Sequence, residues 1–213
     1  MAEARKSASD FKSMRIFFTG VGGQGTLLAT RLVGEAALEE GIPVTMSEIH
    51  GMAQRGGVVE SSVVMGEALS PTIADCEADV LMAFEPLEAV RALPKCHPGS
   101  TVISSTAPIV PFTVAIGQAE YPEAETLRRL VQVKVTRLLW VDAVKLAKEA
   151  GSDRAANTVL VGALAGTGLL PISEASWTAA LRRIFPPRLL EINKKAFELG
   201  TGVGQGTVDR VGG

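Results

Sequence analysis

Two short segments hold the residues with the clearest potential for chemistry. The first is Gly20-Val21-Gly22-Gly23-Gln24-Gly25, which follows the apolar run Ile16-Phe17-Phe18. The second, at 47–57, reads Ser-Glu-Ile-His-Gly-Met-Ala-Gln-Arg-Gly-Gly. Glycines between a strand and a helix let the backbone approach an anion, and the helix N-terminus supplies oriented N–H donors. The sequence therefore predicts a phosphate-type anion site beside a loop with polar and charged side chains.

The spacing of Gly20, Gly22 and Gly25 fits the G-x-G-x-x-G pattern of dinucleotide-binding turns. Such sites also need an acidic residue near the end of the next strand, where it contacts a ribose hydroxyl, and Glu48 lies there. A NAD(P)- or FAD-binding domain is therefore one interpretation. Under another, the glycines only permit a tight turn and close helix–strand packing.

The loop after Glu48 carries more than a plain nucleotide-binding domain requires. Its residues 49–57 combine three glycines with His50, Gln54 and Arg55 and show no low-complexity pattern. Because polar loops on a rigid scaffold commonly carry function, we interpret this loop as a surface that contacts a ligand.

The elements around these segments alternate between strand and helix. Apolar and β-branched runs predict strands at 14–19, 42–46, 58–65, 79–84, 101–104, 112–116 and 138–141. Helical spacing predicts a helix over 23–40 that ends at Gly41, and Pro86 suits the first turn of a short helix that ends at Leu93. This alternation favours an α/β fold with a Rossmann-like, doubly wound and mostly parallel sheet.

The rest of the chain is helical in pattern. Helices are expected over 143–150, 155–170, 173–185 and 187–199, and we interpret them as a helical extension packed on the sheet. The small residues around Gly162 and Gly166 suit either an internal core or an interface. No strand precedes the glycines at 200–206, so we expect a flexible tail there rather than a second anion turn.

The predicted organisation is thus one domain with two flexible ends. The domain covers 14–200, with an α/β core at 14–141 and the helical extension at 142–200, and the flexible segments are 1–13 and 201–213. A chain of 213 residues and 22.3 kDa is long enough to bury one full core.

Composition argues against several functions. The chain has 21 Lys and Arg against 23 Asp and Glu, so it lacks the basic excess that nucleic acid or an anionic membrane surface calls for. Cys76 and Cys96 are isolated, and His97 adds only one further ligand type, so no zinc or iron–sulfur site is expected. Residues 1–12 lack the apolar core of a secretory leader, and no run approaches the ~18 apolar residues of a membrane span. We expect a cytoplasmic protein with reduced thiols.

The two segments together resemble a known family, the gamma-type subunits of 2-oxoacid:ferredoxin oxidoreductases, and in particular those that act on indolepyruvate. The matching residues are Gly20 to Gly25 and the string from Ser47 to Val63, which is highly specific to that group. Weaker similarity continues through 79–86 and reaches Asn157, Gly162 and 193–200.

This resemblance implies a subunit of an enzyme that oxidatively decarboxylates an arylpyruvate, forms an acyl-CoA and passes electrons to ferredoxin. Thiamine diphosphate, magnesium and iron–sulfur clusters would reside on a larger partner subunit, coenzyme A would be a co-substrate, and this chain would hold no cofactor of its own. The isolated chain is then expected to be inactive, with a homodimer as one possible state.

The resemblance also implies the site residues. The anion-binding set would comprise Gly20, Gly22, Gly23, Gln24, Gly25, Ser47, Glu48, His50, Gln54, Arg55, Gly56 and Gly57. Arg55 is the best anion ligand, for a 2-oxoacid carboxylate or a CoA phosphate, although a salt bridge with Glu48 or Glu60 is an alternative. His50 either carries a proton or shapes the loop, and Glu48 either orders the loop or contacts a ligand hydroxyl. A nucleotide-binding regulatory module without chemistry remains a further alternative.

Overall fold

A computed structural model describes residues 13–50, 57–68, 70–206 and 209–210 of the chain. Its strands are β1 (Ser13–Val21), β2 (Val44–His50), β3 (Val58–Gly66), β4 (Ala78–Ala83), β5 (Cys96–Ser105), β6 (Arg137–Val141) and β7 (Asp209–Arg210). Its helices are α1 (Thr26–Glu39), α2 (Pro86–Arg91), α3 (Phe112–Ala115), α4 (Ala124–Lys134), α5 (Ala143–Ala150), α6 (Ala156–Gly166), α7 (Glu174–Ile184) and α8 (Pro187–Gly206). Of the flexible segments predicted at 1–13 and 201–213, residues 1–12, 207–208 and 211–213 lie outside the described residues.

The strands form one sheet in the order β2-β3-β1-β4-β5-β6-β7. Strands β1, β4, β5 and β6 are parallel neighbours, β3 runs antiparallel to β1 and β2, and β7 runs antiparallel to β6. Five of these strands therefore point the same way, because β2 shares the direction of β1. The prediction of an α/β fold with a Rossmann-like, mostly parallel sheet is confirmed.

Apolar residues alternate between the two faces of the sheet. Ile16 and Phe18 of β1 pack in a core with Leu32 of α1 and Leu160 of α6. Phe17, between them in sequence, packs on the other face with Val131 of α4. Because side chains in a strand point alternately to opposite faces, β1 anchors helices on both sides of the sheet. This arrangement is the double winding that the sequence predicts.

The position of β2 differs from the simplest expectation for a strand, helix and strand unit. In such a unit the second strand lies next to the first, but here β3 pairs with both β1 and β2 and separates them. Strands β2 and β3 form an antiparallel pair. The end of β2 therefore lies two strands away from the glycine turn, about 10 Å at ordinary strand spacing.

The prediction of a strand over 112–116 is wrong. Residues Phe112–Ala115 form one turn of helix, α3, with Pro111 at its N-cap. The β-branched residues here are part of an exposed segment and have no neighbouring strand to pair with, so local turn formation after proline decides the conformation. Helix α4, which has no counterpart in the sequence prediction, follows after a short connection.

The C-terminal helices pack on the face of the sheet that α1 covers. Helices α5, α6, α7 and α8 contribute to the same core cluster as Ile16 and Phe18 of β1. The expectation of a flexible tail is wrong for 201–206, because α8 continues to Gly206. The reason is packing: Gly200 and Gly204 face α6 at backbone distance, so glycine here permits contact instead of ending the helix.

Among the described residues, no helix is both long enough and apolar enough to cross a membrane.

Candidate active-site face

The glycine turn continues β1 into α1. Gly20 is still paired, opposite Val59 of β3, and the amide of Gly22 donates to the carbonyl of Gly57 at 2.8 Å. The amide of Gln24 donates to the carbonyl of Val21 at 3.1 Å and closes the turn. The structure thus joins the two segments that the sequence singles out, since Gly57 ends the second of them.

Two glycines of the turn meet a steric demand. Gly25 has φ of +78°, and a Cβ on it would lie 2.4 Å from Nδ2 of Asn157. A Cβ on Gly20 would lie 2.9 Å from both Oε1 of Gln24 and Cβ of Phe84. Because a left-handed φ and a missing side chain are both required, Gly25 has two reasons to be glycine. Helix α1 starts only at Thr26, since the turn occupies the preceding residues.

Gln24 ties the turn to the neighbouring parallel strand. Its Oε1 accepts from the amide of Val21 at 2.8 Å, and its Nε2 donates to the carbonyl of Phe84, just beyond β4, at 2.7 Å. The family resemblance places Gln24 in the anion-binding set. The structure gives both ends of its amide an intramolecular role, which leaves one N–H of Nε2 without a bond among the described residues.

Among the described residues, the N-terminus of α1 has neither a side-chain cap nor an acidic neighbour in its first turn. The hydroxyl of Thr26, in the first turn, is buried and has no hydrogen-bond partner among those residues. Helix N-termini carry free N–H donors and a positive partial charge. Backbone N–H donors without a side-chain cap at the start of a helix are the arrangement that suits a phosphate or a carboxylate.

The second segment begins on β2 and returns at Gly57. Ser47 pairs opposite Ser62 and Glu48 opposite Ser61, and Glu48 is exposed. The backbone of His50 lies opposite Val59, the residue that also pairs with Gly20. The Gly57 end of this loop is therefore bonded to the glycine turn, whereas the His50 end lies two strands away at the same edge of the sheet. The predicted ligands Gln54, Arg55 and Gly56 lie outside the described residues, as does the side chain of His50.

The placement of Glu48 differs from that in a dinucleotide site. There the acidic residue ends the strand next to the glycine turn and reaches the ribose. Here β3 lies between β1 and β2, and Glu48 is on the edge strand. The geometry of the described residues therefore supports the anion site but not the ribose contact of the NAD(P) or FAD interpretation.

A buried acidic pair borders the turn on the other side, and the sequence analysis missed its role. Glu85 and Glu88 are almost fully buried in and before α2. Oε2 of Glu85 accepts from the amides of Leu87 and Glu88 at 2.7 and 3.0 Å, and its Oε1 accepts from the Tyr121 hydroxyl. Burial and this carboxylate raise the pKa of Tyr121 above its ordinary range. The signal in the sequence was Pro86, which suits the first helical turn and so leaves Glu85 at the N-cap.

Glu88 is the less satisfied member of the pair. Its Oε1 accepts from Nη1 of Arg91 at 2.5 Å, but its Oε2 is buried without a partner among the described residues. Burial raises the pKa of Glu88, and the carboxylates of Glu85 and Glu60 act in the same direction, while Arg91 opposes them. The folded protein therefore holds this proton more tightly than the unfolded chain does.

We expect Glu88 to make stability fall as pH rises. Since its folded pKa lies above its ordinary value of 4.5, its contribution is most favourable below that pH and is lost as pH rises through the raised value. Glu88→Gln keeps the shape and removes the titration, so its melting temperature should fall less than that of the wild type between about pH 4.5 and pH 7. The matched control is Glu191→Gln, an exposed carboxylate that also pairs with a cation three residues away. Equal pH slopes for Glu88→Gln and the wild type would contradict this assignment.

A chain of buried polar side chains links the turn to the C-terminal helices. Nδ2 of Asn157 donates to the carbonyl of Gly25 at 3.3 Å, and its Oδ1 accepts from the amide of Thr158 at 2.8 Å. The Thr158 hydroxyl donates to Oδ1 of Asn193 at 2.7 Å. In the sequence Asn157 and Asn193 carry only weak similarity, and their contacts, with Gly25 across 132 residues and with Thr158 across 35, are visible only in the fold.

The two cysteines behave as separate thiols. Cys76 is exposed and Cys96 is buried, and burial raises the pKa of Cys96 to about 11. No group of three or more His, Cys, Asp or Glu side chains among the described residues is placed to hold a metal ion.

Comparison with known proteins places this geometry in context. The family model described as pyruvate ferredoxin/flavodoxin oxidoreductase matches residues 15–203. A subunit named indolepyruvate oxidoreductase subunit IorB, from Methanothermobacter thermautotrophicus, is 40% identical over 187 residues, which cover 88% of this chain and 95% of that subunit.

Two solved structures share the fold. The gamma subunit of a keto/oxoacid ferredoxin oxidoreductase from Geobacter sulfurreducens PCA superposes with a TM-score of 0.67 at 22% identity, covering 91% of this chain and 99% of that one. A 2-oxoglutarate:ferredoxin oxidoreductase from Magnetococcus marinus, with 2-oxoglutarate, coenzyme A and succinyl-CoA bound, gives a TM-score of 0.69 at 21% identity. That match covers 93% of this chain but only 32% of the longer one.

Proposed function

Since the chain belongs to the pyruvate ferredoxin/flavodoxin oxidoreductase family, we propose that it completes an indolepyruvate:ferredoxin oxidoreductase as its gamma-type subunit. The enzyme decarboxylates an arylpyruvate oxidatively, transfers the acyl group to coenzyme A and passes the electrons to ferredoxin. The observation that carries this proposal is the 40% identity to subunit IorB over nearly the whole of both chains. The role as a subunit of a 2-oxoacid oxidoreductase follows from the family itself.

The larger subunit supplies the redox chemistry. Two cysteines in the whole sequence are fewer than the four thiolates that a typical iron–sulfur cluster takes, and they lie apart as one exposed and one buried thiol. By the family resemblance thiamine diphosphate, magnesium and the clusters belong to the partner, where thiamine diphosphate would supply the decarboxylation chemistry. What this chain contributes is binding and positioning at the boundary between the subunits.

The ligand of the glycine turn is an anionic group of coenzyme A or of the 2-oxoacid. The N–H donors at the start of α1, which no side chain among the described residues caps, support this assignment. The Magnetococcus marinus enzyme, which has the same fold over one third of its length, was solved with a 2-oxoacid and coenzyme A bound. Gln24 then acts by holding the turn against β4, through Val21 and Phe84.

The loop from His50 to Gly57 covers this anion. Its Gly57 end is bonded to Gly22 of the turn, and its His50 end lies in line with Gly20 on the far side of Val59. Arg55 grips a carboxylate or phosphate bidentately, and Gln54 and the glycines let the backbone approach the ligand. His50 orients the bound carbonyl or carries a proton, with Ser47 and Glu48 at the base of the loop. We place the assembled enzyme in the cytoplasm.

Reconstitution tests the proposed function. A pull-down of the native complex identifies the large subunit, and the isolated chain should be colourless and inactive with indolepyruvate, coenzyme A and ferredoxin. Co-expression of the two chains should restore turnover, because the cofactors and the anion site then meet. The large subunit alone is the control. Arylpyruvate oxidation by this chain alone, or full activity of the large subunit without it, would refute the proposal.

A further inference from the structure

A run of exposed apolar side chains follows β5 at the carboxyl edge of the sheet. Residues 106–119, which we call the uncharged segment, contain no Lys, Arg, His, Asp or Glu. Phe112 is 77% exposed, and Ile109, Val110 and Ile116 are also exposed. The core of a protein–protein interface is depleted of charge and rich in such residues. The uncharged segment therefore has the composition of an interface core rather than of an ordinary surface.

Exposed apolar residues elsewhere in the described chain lack this composition. Val133 of α4 is 88% exposed, more than Phe112, but Arg129 and Lys134 lie on the same helix. A single apolar side chain among charges is normal at a protein surface and needs no partner. The absence of charge, and not exposure alone, distinguishes the uncharged segment.

Buried Glu85 fixes the uncharged segment near both of its ends. Its Oε1 accepts from the amide of Ile109 at 3.2 Å and from the hydroxyl of Tyr121. Pro108 and Pro111 restrict φ within the segment, and Pro111 caps the single turn of α3. A surface that is ordered before binding loses less conformational entropy when it binds. The segment is thus arranged for docking in its free state.

The same carboxylate places the uncharged segment beside the glycine turn. Gln24 of the turn donates to the carbonyl of Phe84, and Glu85, the next residue, accepts from the amide of Ile109. A macromolecule that covers the segment therefore comes to lie at the border of the anion site. This position suits a partner that completes that site with groups of its own.

We propose that the uncharged segment is the docking surface for the thiamine diphosphate-bearing subunit, an inference that rests on the proposed function. In the Magnetococcus marinus enzyme this fold makes up 32% of a longer chain, whereas subunit IorB matches this chain over 95% of its length. Where the rest of the enzyme is a separate chain, the domain must present a surface to it. A second copy of this chain docked there would bring no cofactor to the turn.

The test measures binding of the purified large subunit to variants of this chain. Phe112→Ser should weaken the complex by at least about 30-fold, the loss expected for an aromatic hot spot. Val133→Ser, equally apolar and more exposed, should leave the dissociation constant within about 3-fold of the wild type. Circular dichroism and thermal melting check that each variant folds. If Phe112→Ser does not fold, Ile116→Ser serves as the second probe.

The outcomes separate the docking surface from the proposed function. If the wild-type chain restores activity and Phe112→Ser binds as tightly as Val133→Ser, the docking surface is elsewhere and the inference is overturned. If Phe112→Ser changes only self-association in sedimentation, the segment is a contact between copies and the inference is also overturned. If the wild-type chain neither binds the large subunit nor supports turnover, the proposed function fails and the docking surface with it.

Discussion

Gly200→Ala should lower the free energy of unfolding by about 2–3 kcal/mol, the cost of overpacking a tight contact. Gly202→Ala, two residues along the same helix, should raise it by about 0.5–1 kcal/mol, because alanine favours the helix over glycine. A Cβ on Gly200 would lie 2.0 Å from the carbonyl oxygen of Val159, whereas a Cβ on Gly202 has no neighbour within 4 Å. One methyl group is thus expected to have opposite effects at the two positions.

The physical reason is a direct backbone contact between α6 and α8. Gly162 and Gly166 on α6 are spaced by four residues, as are Gly200 and Gly204 on α8, so each pair shares one helix face. A Cβ on Gly162 would lie 2.1 Å from the carbonyl oxygen of Phe197, and a Cβ on Gly204 would lie 2.2 Å from that of Ala163. Backbone atoms inside two packed helices have no rotamer by which to move away, so the helices must separate.

Urea unfolding of the isolated chain, followed by circular dichroism, measures both variants. The free energy of unfolding should fall with urea concentration at the same slope in the wild type and the variants. A changed midpoint then reports stability rather than a change in the unfolded state. The contact between α6 and α8 would be refuted if Gly200→Ala stabilised the chain as Gly202→Ala does. The contact also decides the question that the sequence left open, because Gly162 and Gly166 face an internal helix.

Local pattern predicted most of the sheet and little of its order. The strand at β1, the glycine turn and α1 each depend on residues close in sequence, such as the alternation at 16–18 and Gly41 after the helix. The insertion of β3 between β1 and β2 depends on pairing between distant residues. A sheet with β2 directly beside β1 would fit the same hydrophobic pattern. The prediction of a flexible tail at the glycines of α8 was wrong for a similar reason, because their helical conformation depends on packing against α6.

The candidate site divides in the same way. Spacing was enough to locate Gly20, Gly22 and Gly25, because their chemistry is that of a local turn. It was not enough for Glu85, whose role depends on Tyr121, 36 residues away, or for Asn157, 132 residues from Gly25. Hydrogen bonds between elements far apart in sequence leave no periodic signal, so the supporting residues emerge only from the fold.

Gly25→Ala should cause the second large loss, about 2–4 kcal/mol of stability, from two separable causes. Alanine at φ of +78° costs about 1–2 kcal/mol because its Cβ meets the following carbonyl oxygen. The new Cβ would also lie 2.4 Å from Nδ2 of Asn157, and the remainder of the loss comes from displacing that amide. Asn157 is buried and bonded to Gly25 and Thr158, so it cannot simply rotate away.

Gly41→Ala isolates the first cause, since Gly41 has φ of +79° and a Cβ there would meet no atom within 4 Å. In thermal unfolding, the melting temperature of Gly25→Ala should therefore be lower than that of Gly41→Ala. Asn157→Ala removes the amide that the new Cβ meets, so Gly25→Ala should cost less in that background than in the wild type. Equal losses for the two glycine variants, or strict additivity with Asn157→Ala, would show that Asn157 does not restrict the turn. In the assembled enzyme, Gly25→Ala should also raise the KM for coenzyme A or the 2-oxoacid, whereas Gly41→Ala should not, because only Gly25 lies at the helix N-terminus to which we assign the anion.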